Sequence, residues 1–76
     1  MKRDNSRHRE KYKIIGKNIR KIRKRKKLSQ EELAFMVSST RNYIGCIERG
    51  EKFASLAFFF DLATALECNI NFLFEN

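Results

Sequence analysis

The chain has 76 residues, of which 42% are hydrophobic and 34% charged, with no proline and a net charge of +8. That length holds one small domain, burying about 60% of its surface on folding. No apolar run approaches the ~20 residues of a membrane span and the N-terminus lacks the apolar core of a signal peptide, so a cytoplasmic protein is expected. Cys46 and Cys68 stand apart with no CxxC or histidine-rich setting, which argues against a disulfide or a metal site.

The charge is unevenly spread. Residues 1–27 carry fourteen Lys and Arg against Asp4 and Glu10, a net of +12; residues 28–76 carry three basic residues against seven acidic ones, a net of −4. A polyanionic partner for the first third of the chain is the functional reading; a solvated charged face with a loose tail is the plainer one. Residues 1–13 hold few apolar side chains and read as a basic flexible arm. His8 lies in that arm and reads as a solvated side chain rather than a catalytic or metal-binding one.

From Ile15 the pattern becomes helical. Ile15, Ile19 and Ile22 recur at spacings of four and three, which sets them on one face of a helix expected over 14–26. Ser29 followed by Glu32 is a capping box and starts a second helix, with Leu33, Ala34 and Val37 as its buried stripe. Ser38 and Ser39 break that pattern, and Thr40 caps a third helix that ends at Gly50. Two short helices joined by a turn of about three residues have the layout of a helix-turn-helix. Ser55 caps a fourth helix with Leu56, Phe59, Leu62, Ala63 and Leu66 on one face, and Asn69 caps a short fifth carrying Ile70, Phe72, Leu73 and Phe74.

The stretch TRNYIGCIERGE, residues 40–51, reads as a helix with an unusual middle. Gly in a helix interior costs about 1 kcal/mol relative to Ala, yet Gly45 stands at its centre. On a helical wheel Arg41, Asn42, Gly45, Cys46 and Arg49 share an arc of about 140°, with Ile44 and Ile47 opposite. A face polar at its ends and small in its middle suits a helix seated deep in the major groove of DNA, which is about 12 Å wide. Arg41 is then placed for guanine O6 and N7, Asn42 for adenine N6 and N7, and Arg49 for a phosphate. The rival reading is that Gly45 permits close packing against another helix.

IGKNIRKIRKRKKLSQEELAFMV, TRNYIGCIERGE and SLAFFFDLATALECNINFLF together resemble the Cro/phage-repressor type of helix-turn-helix domain over about residues 15–74. Within it, RNYIGCIERGE looks most like the controller proteins of restriction–modification systems; phage-type repressors and antitoxins share the framework. The resemblance implies an all-α, compact five-helix domain over 14–76, with helix 3 reading a palindromic operator, a homodimer formed through helices 4 and 5, and an autoregulatory role. Carried over residue by residue, it implies base contacts from Arg41, Asn42, Tyr43 and Cys46. Gln30, Ser39, Thr40, Arg49 and Lys52 match phosphate-contacting positions, with Lys17 flanking the backbone, and Arg23 and Glu48 match a structural ion pair. Ser38 departs from the family's usual glycine in the turn, and Ser39 from a usual apolar residue.

Phe58, Phe60, Phe72 and Phe74 exceed what one small core easily hides, and such a patch often marks an interface, here read as a two-fold dimer; the plainer reading is that some of them fill the core of the monomer, as Phe59 does. The rival from a different class is a protein-interaction module that uses this phenylalanine patch. Recognition of single strands ranks lower, because no aromatic stacking platform stands beside the basic residues. No glycine-rich phosphate loop or carboxylate pair suggests an enzyme, and neither a cofactor nor a small-molecule ligand is expected. RNA polymerase is a further candidate partner, although an acidic pair such as Glu31 and Glu32 is too common to identify its surface.

Overall fold

The structure, a computed structural model, describes residues 8–76. Five helices follow one another: α1 (Arg9–Arg25), α2 (Gln30–Met36), α3 (Arg41–Glu48), α4 (Leu56–Ala65) and α5 (Ile70–Phe74), and the described residues contain no strand. Each short helix starts where a polar side chain replaces a missing intrahelical partner. Ser29 Oγ accepts from the Glu32 amide at 2.9 Å while Glu32 Oε1 accepts from the Ser29 amide at 2.8 Å. Thr40, Ser55 and Asn69 accept from the amides of Tyr43, Phe58 and Asn71.

Four helices also end alike. Lys27, Ser38, Gly50 and Glu67 each take a left-handed φ of 59°, 55°, 75° and 56°, and the next amide reaches back across the last turn. Leu28 donates to the Arg23 carbonyl, Ser39 to Ala34, Glu51 to Cys46 and Cys68 to Ala63, at 2.8 to 3.1 Å. This is the Schellman arrangement, for which glycine is the usual residue. Only one of the four positions has it. Ser38 therefore closes the turn between α2 and α3 in the ordinary way despite its side chain.

The first helix begins at Arg9, with His8 at its N-cap position, rather than at residue 14, so His8 to Lys13 belong to the folded domain; the rest of the expected arm, 1–7, lies outside the described residues. Tertiary contacts extend it. Tyr12 stacks on Phe53 with ring centroids 4.6 Å apart, and Phe53 in turn packs on the buried Phe59 at 5.0 Å. His8, half-buried, has its ring 6.3 Å from that of Tyr12. Gly50 admits the α1 backbone, since a Cβ there would lie 2.8 Å from Lys13 Cα.

The core forms where all five helices converge on Ile19, Leu33, Ile44, Ile47, Phe59, Leu62 and Leu73, all fully buried. Each such side chain contributes about 1.5–3 kcal/mol through removal from water. Gly16 lets α1 lie directly on the end of α3: a Cβ there would overlap the backbone carbonyl oxygens of Ile47 and Glu48. Asn18 fastens the other end of the chain, its Nδ2 donating to the carbonyls of Leu73 at 3.0 Å and Glu75 at 2.6 Å. With α1 and α5 locked behind it, α3 is held with one side inward and the other in solvent.

Candidate nucleic-acid interface

Helical periodicity sorts α3 into two faces. Ile44 and Ile47 are buried, while Arg41, Asn42 and, just beyond the last turn, Arg49 are exposed. The middle is not the open notch expected from the sequence. Gly45 is buried, beneath the ends of two side chains: a Cβ there would lie 3.0 Å from Arg49 Nη1 and 3.7 Å from Gln30 Nε2. Gln30, Arg41, Asn42, Gly45 and Arg49 thereby line one shallow hollow of about 460 Å³. Two guanidinium groups and two carboxamides meet there, a set rich in N–H donors with the two amide oxygens as acceptors. Such a surface matches hydrogen-bonding edges that are mostly acceptors.

An ion pair behind the hollow fixes its position. Arg23 Nε donates to Glu48 Oε2 at 2.7 Å and Nη2 to Oε1 at 3.1 Å, while Nη1 donates to the Leu28 carbonyl at 2.7 Å. Gln30 Nε2 donates to Glu48 Oε1 at 3.0 Å. One carboxylate thus ties α1, α2 and α3 together, and no buried side-chain polar atom among the described residues lacks a partner. The bond also commits one N–H of Gln30 inward and leaves the other for a ligand.

In front of the hollow lies a second pair that the sequence did not reveal. Arg49 Nε donates to Glu51 Oε2 at 2.8 Å and Nη2 to Oε1 at 3.2 Å, with Cys46 Sγ 3.6 Å from Nη2. The hydrogen bond from Arg49 holds the Glu51 carboxyl below the usual carboxylate range and raises the guanidinium above its own. The sequence signal was present in RGE: a left-handed glycine between them turns the chain so that residues 49 and 51 face each other.

The remaining predicted contacts are spread more widely. Tyr43 is half-buried, its ring edge-on to Phe58 at 5.5 Å, so it packs on α4 at the margin of the exposed face. Cys46 is half-buried beside Arg49, Thr40 is exposed at the start of α3, and Ser39 is half-buried in the turn. Lys17 on α1 and Lys52 in the loop are exposed and lie outside the hollow. A larger hollow of about 800 Å³ lies elsewhere, where α1, α2 and α4 end. Its rim mixes Asp61 and Glu67 with Lys26, and an exposed Lys26–Glu67 pair at 2.7 Å crosses it. That rim lacks the cationic character of the α3 face.

The four phenylalanines expected at one interface divide. Phe58 is half-buried against Tyr43 and the core, which removes it from the free patch, and Phe74 lies edge-on to Phe59 at 5.8 Å while keeping 40% of its surface exposed. Phe60 and Phe72 are 50% and 56% exposed, with Leu56 on α4 at 59%. A separate apolar spot on α2, not singled out from the sequence, joins Phe35 and Met36 to Leu28 between Glu31 and Glu32.

Comparisons with known proteins agree with this fold. The helix-turn-helix family model HTH_3 matches residues 19–73. The control protein C.SmaI of Serratia marcescens is 39% identical over 57 residues, which cover 75% of this chain and 68% of that one. The crystal structure of the restriction–modification controller protein C.AhdI from Aeromonas hydrophila superposes with a TM-score of 0.84 at 40% identity, covering 88% of this chain and 97% of that one. A hypothetical transcription factor from Neisseria, NHTF, gives 0.81 at 29% identity, over 86% and 75% of the two chains. These relatives are controllers and transcription factors, not enzymes. The chain belongs to the helix-turn-helix family, as a transcription regulator of the restriction–modification controller type.

Proposed function

We propose that the protein binds double-stranded DNA as a homodimer on a palindromic operator in front of its own operon, part of a restriction–modification system, in the cytoplasm. The observation that carries this reading is the donor-rich face of α3, where Arg41, Asn42 and Gln30 surround the hollow at Gly45. With α3 in the major groove, Arg41 reads guanine and Asn42 reads adenine through paired hydrogen bonds. Tyr43 and Cys46 contribute from its edge, Cys46 by touching a thymine methyl. Gln30, Ser39, Thr40, Lys52 and Lys17 meet the phosphates on either side, and the excess of lysine and arginine on α1 draws the duplex in.

Phe60 and Phe72, with Phe74, pair α4 and α5 with their symmetry copies. A two-fold contact of this kind buries the apolar patch and sets two reading helices about 34 Å apart, one turn of DNA. Leu28, Phe35 and Met36 between Glu31 and Glu32 then remain outside both contacts, as the surface left for RNA polymerase.

DNase footprinting on the DNA segment directly upstream of the protein's own coding frame tests this reading. Protection of an inverted repeat with half-sites about one turn apart is the expected result. Uniform weak protection that disappears at physiological salt would overturn it and favour a protein-interaction module acting through the phenylalanines.

A further inference from the structure

Arg49 stands at the end of α3, where a phosphate contact is the simple expectation. Its geometry supports a different role. Side chains on a helix lean toward its N-terminus, and this one lies back over the middle of α3, with Nη1 3.0 Å from the point a Gly45 Cβ would occupy. Its guanidinium therefore forms the wall of the same hollow that Arg41 and Asn42 line. Nε and Nη2 are engaged by the two oxygens of Glu51, a fork that fixes the plane and direction of the group. Cys46, a small residue with its Sγ 3.6 Å from Nη2, leaves room for this placement.

The charges separate the two roles. An arginine already neutralised by a carboxylate offers a phosphate little, because the pair releases few counterions and Glu51 repels the backbone. A base edge carries no net charge, so a neutral pair with a directed N–H suits it. We propose that Arg49 reads a base edge bearing an acceptor, such as guanine O6 or N7, and that Glu51 is the positioning residue that aims it. This deepens the DNA-binding reading above and rests on it. It also gives the unusual glycine a purpose: Gly45 makes space for an arginine from the next turn.

The test is selection and sequencing of random double-stranded DNA with full-length wild type, Arg49→Ala, Arg49→Lys and Glu51→Gln, followed by affinity against salt on the selected site. An absence of any enriched sequence for wild type would overturn the DNA reading itself, before any variant is compared. Given an enriched palindrome, Arg49→Ala is expected to abolish the preference at one symmetric position, distinct from that of Arg41, with an unchanged salt slope. Glu51→Gln is expected to blur the same position, and Arg49→Lys, which lacks the fork, not to restore it. Discrimination there should fall from about tenfold or more to near none. Uniform weakening by Arg49→Ala, with the salt slope reduced by about 0.9, would mark a phosphate contact instead. Uniform tightening by Glu51→Gln, or a preserved preference, would overturn the positioning role of Glu51.

Discussion

Arg23 on α1 and Glu48 on α3 form a paired fork almost out of reach of water, their side chains 9% and 3% exposed and their closest atoms 2.7 Å apart. Every other charged pair among the described residues lies at the surface. Burial makes this pair a constraint on the angle of α3 more than a source of net stability, since desolvation offsets most of the attraction. Glu48→Gln, which leaves the buried guanidinium without its counter-charge, is expected to cost about 3–5 kcal/mol in urea unfolding. The double variant Arg23→Met with Glu48→Leu should recover most of that loss while weakening binding to the operator, because Gln30 loses its inner partner as well.

Gly16 and Gly45 predict opposite signs for the same substitution. Ala improves helix propensity by about 1 kcal/mol at either site. At Gly16 the new Cβ meets the fixed backbone of Ile47 and Glu48, so Gly16→Ala is expected to destabilise by about 1–3 kcal/mol or more through overpacking. At Gly45 it meets the far end of the Arg49 side chain, which moves. Gly45→Ala should therefore melt at or above the wild-type temperature and yet alter the selected DNA sequence at the position Arg49 reads.

Ser38 and Glu67 hold left-handed backbone that costs an L-residue about 1–2 kcal/mol. Ser38→Gly is expected to raise stability by about 1 kcal/mol, read as a higher denaturant midpoint with an unchanged slope. Since the turn already closes through the Ser39 to Ala34 hydrogen bond at 2.8 Å, operator affinity should change little.

Phe60 and Phe72 lie half in solvent on α4 and α5. Phe60→Glu and Phe72→Glu are each expected to shift sedimentation at micromolar concentration from dimer to monomer while leaving the helical circular dichroism intact. Phe58→Glu should instead lower the melting temperature, because Phe58 packs against Tyr43 and the core.

Local chemistry explains what was legible in the chain. Ser29, Thr40, Ser55 and Asn69 act on residues two or three positions away, so the starts of four helices could be read directly, as could the inward faces of α3 and α4. The start of α1 could not, because Arg9 to Lys13 become helical through Phe53, some forty residues further on. The same limit hid Asn18, whose partners are at Leu73 and Glu75, and Gly16, whose neighbour is the backbone of α3. At the interface, the wheel placed Arg41, Asn42 and Arg49 on one face but showed an empty notch at Gly45. A wheel has no side-chain length, and it is the reach of Arg49, held by Glu51, that fills the notch.

The reading role of α3 is tested most directly by selecting binding sites from random double-stranded DNA at physiological salt, with wild type and Arg41→Ala side by side. The account predicts an enriched palindrome for wild type, with Arg41→Ala losing discrimination at one symmetric guanine and keeping the half-site spacing. An Arg41→Ala profile that matches wild type at every position, only weaker throughout, would contradict it.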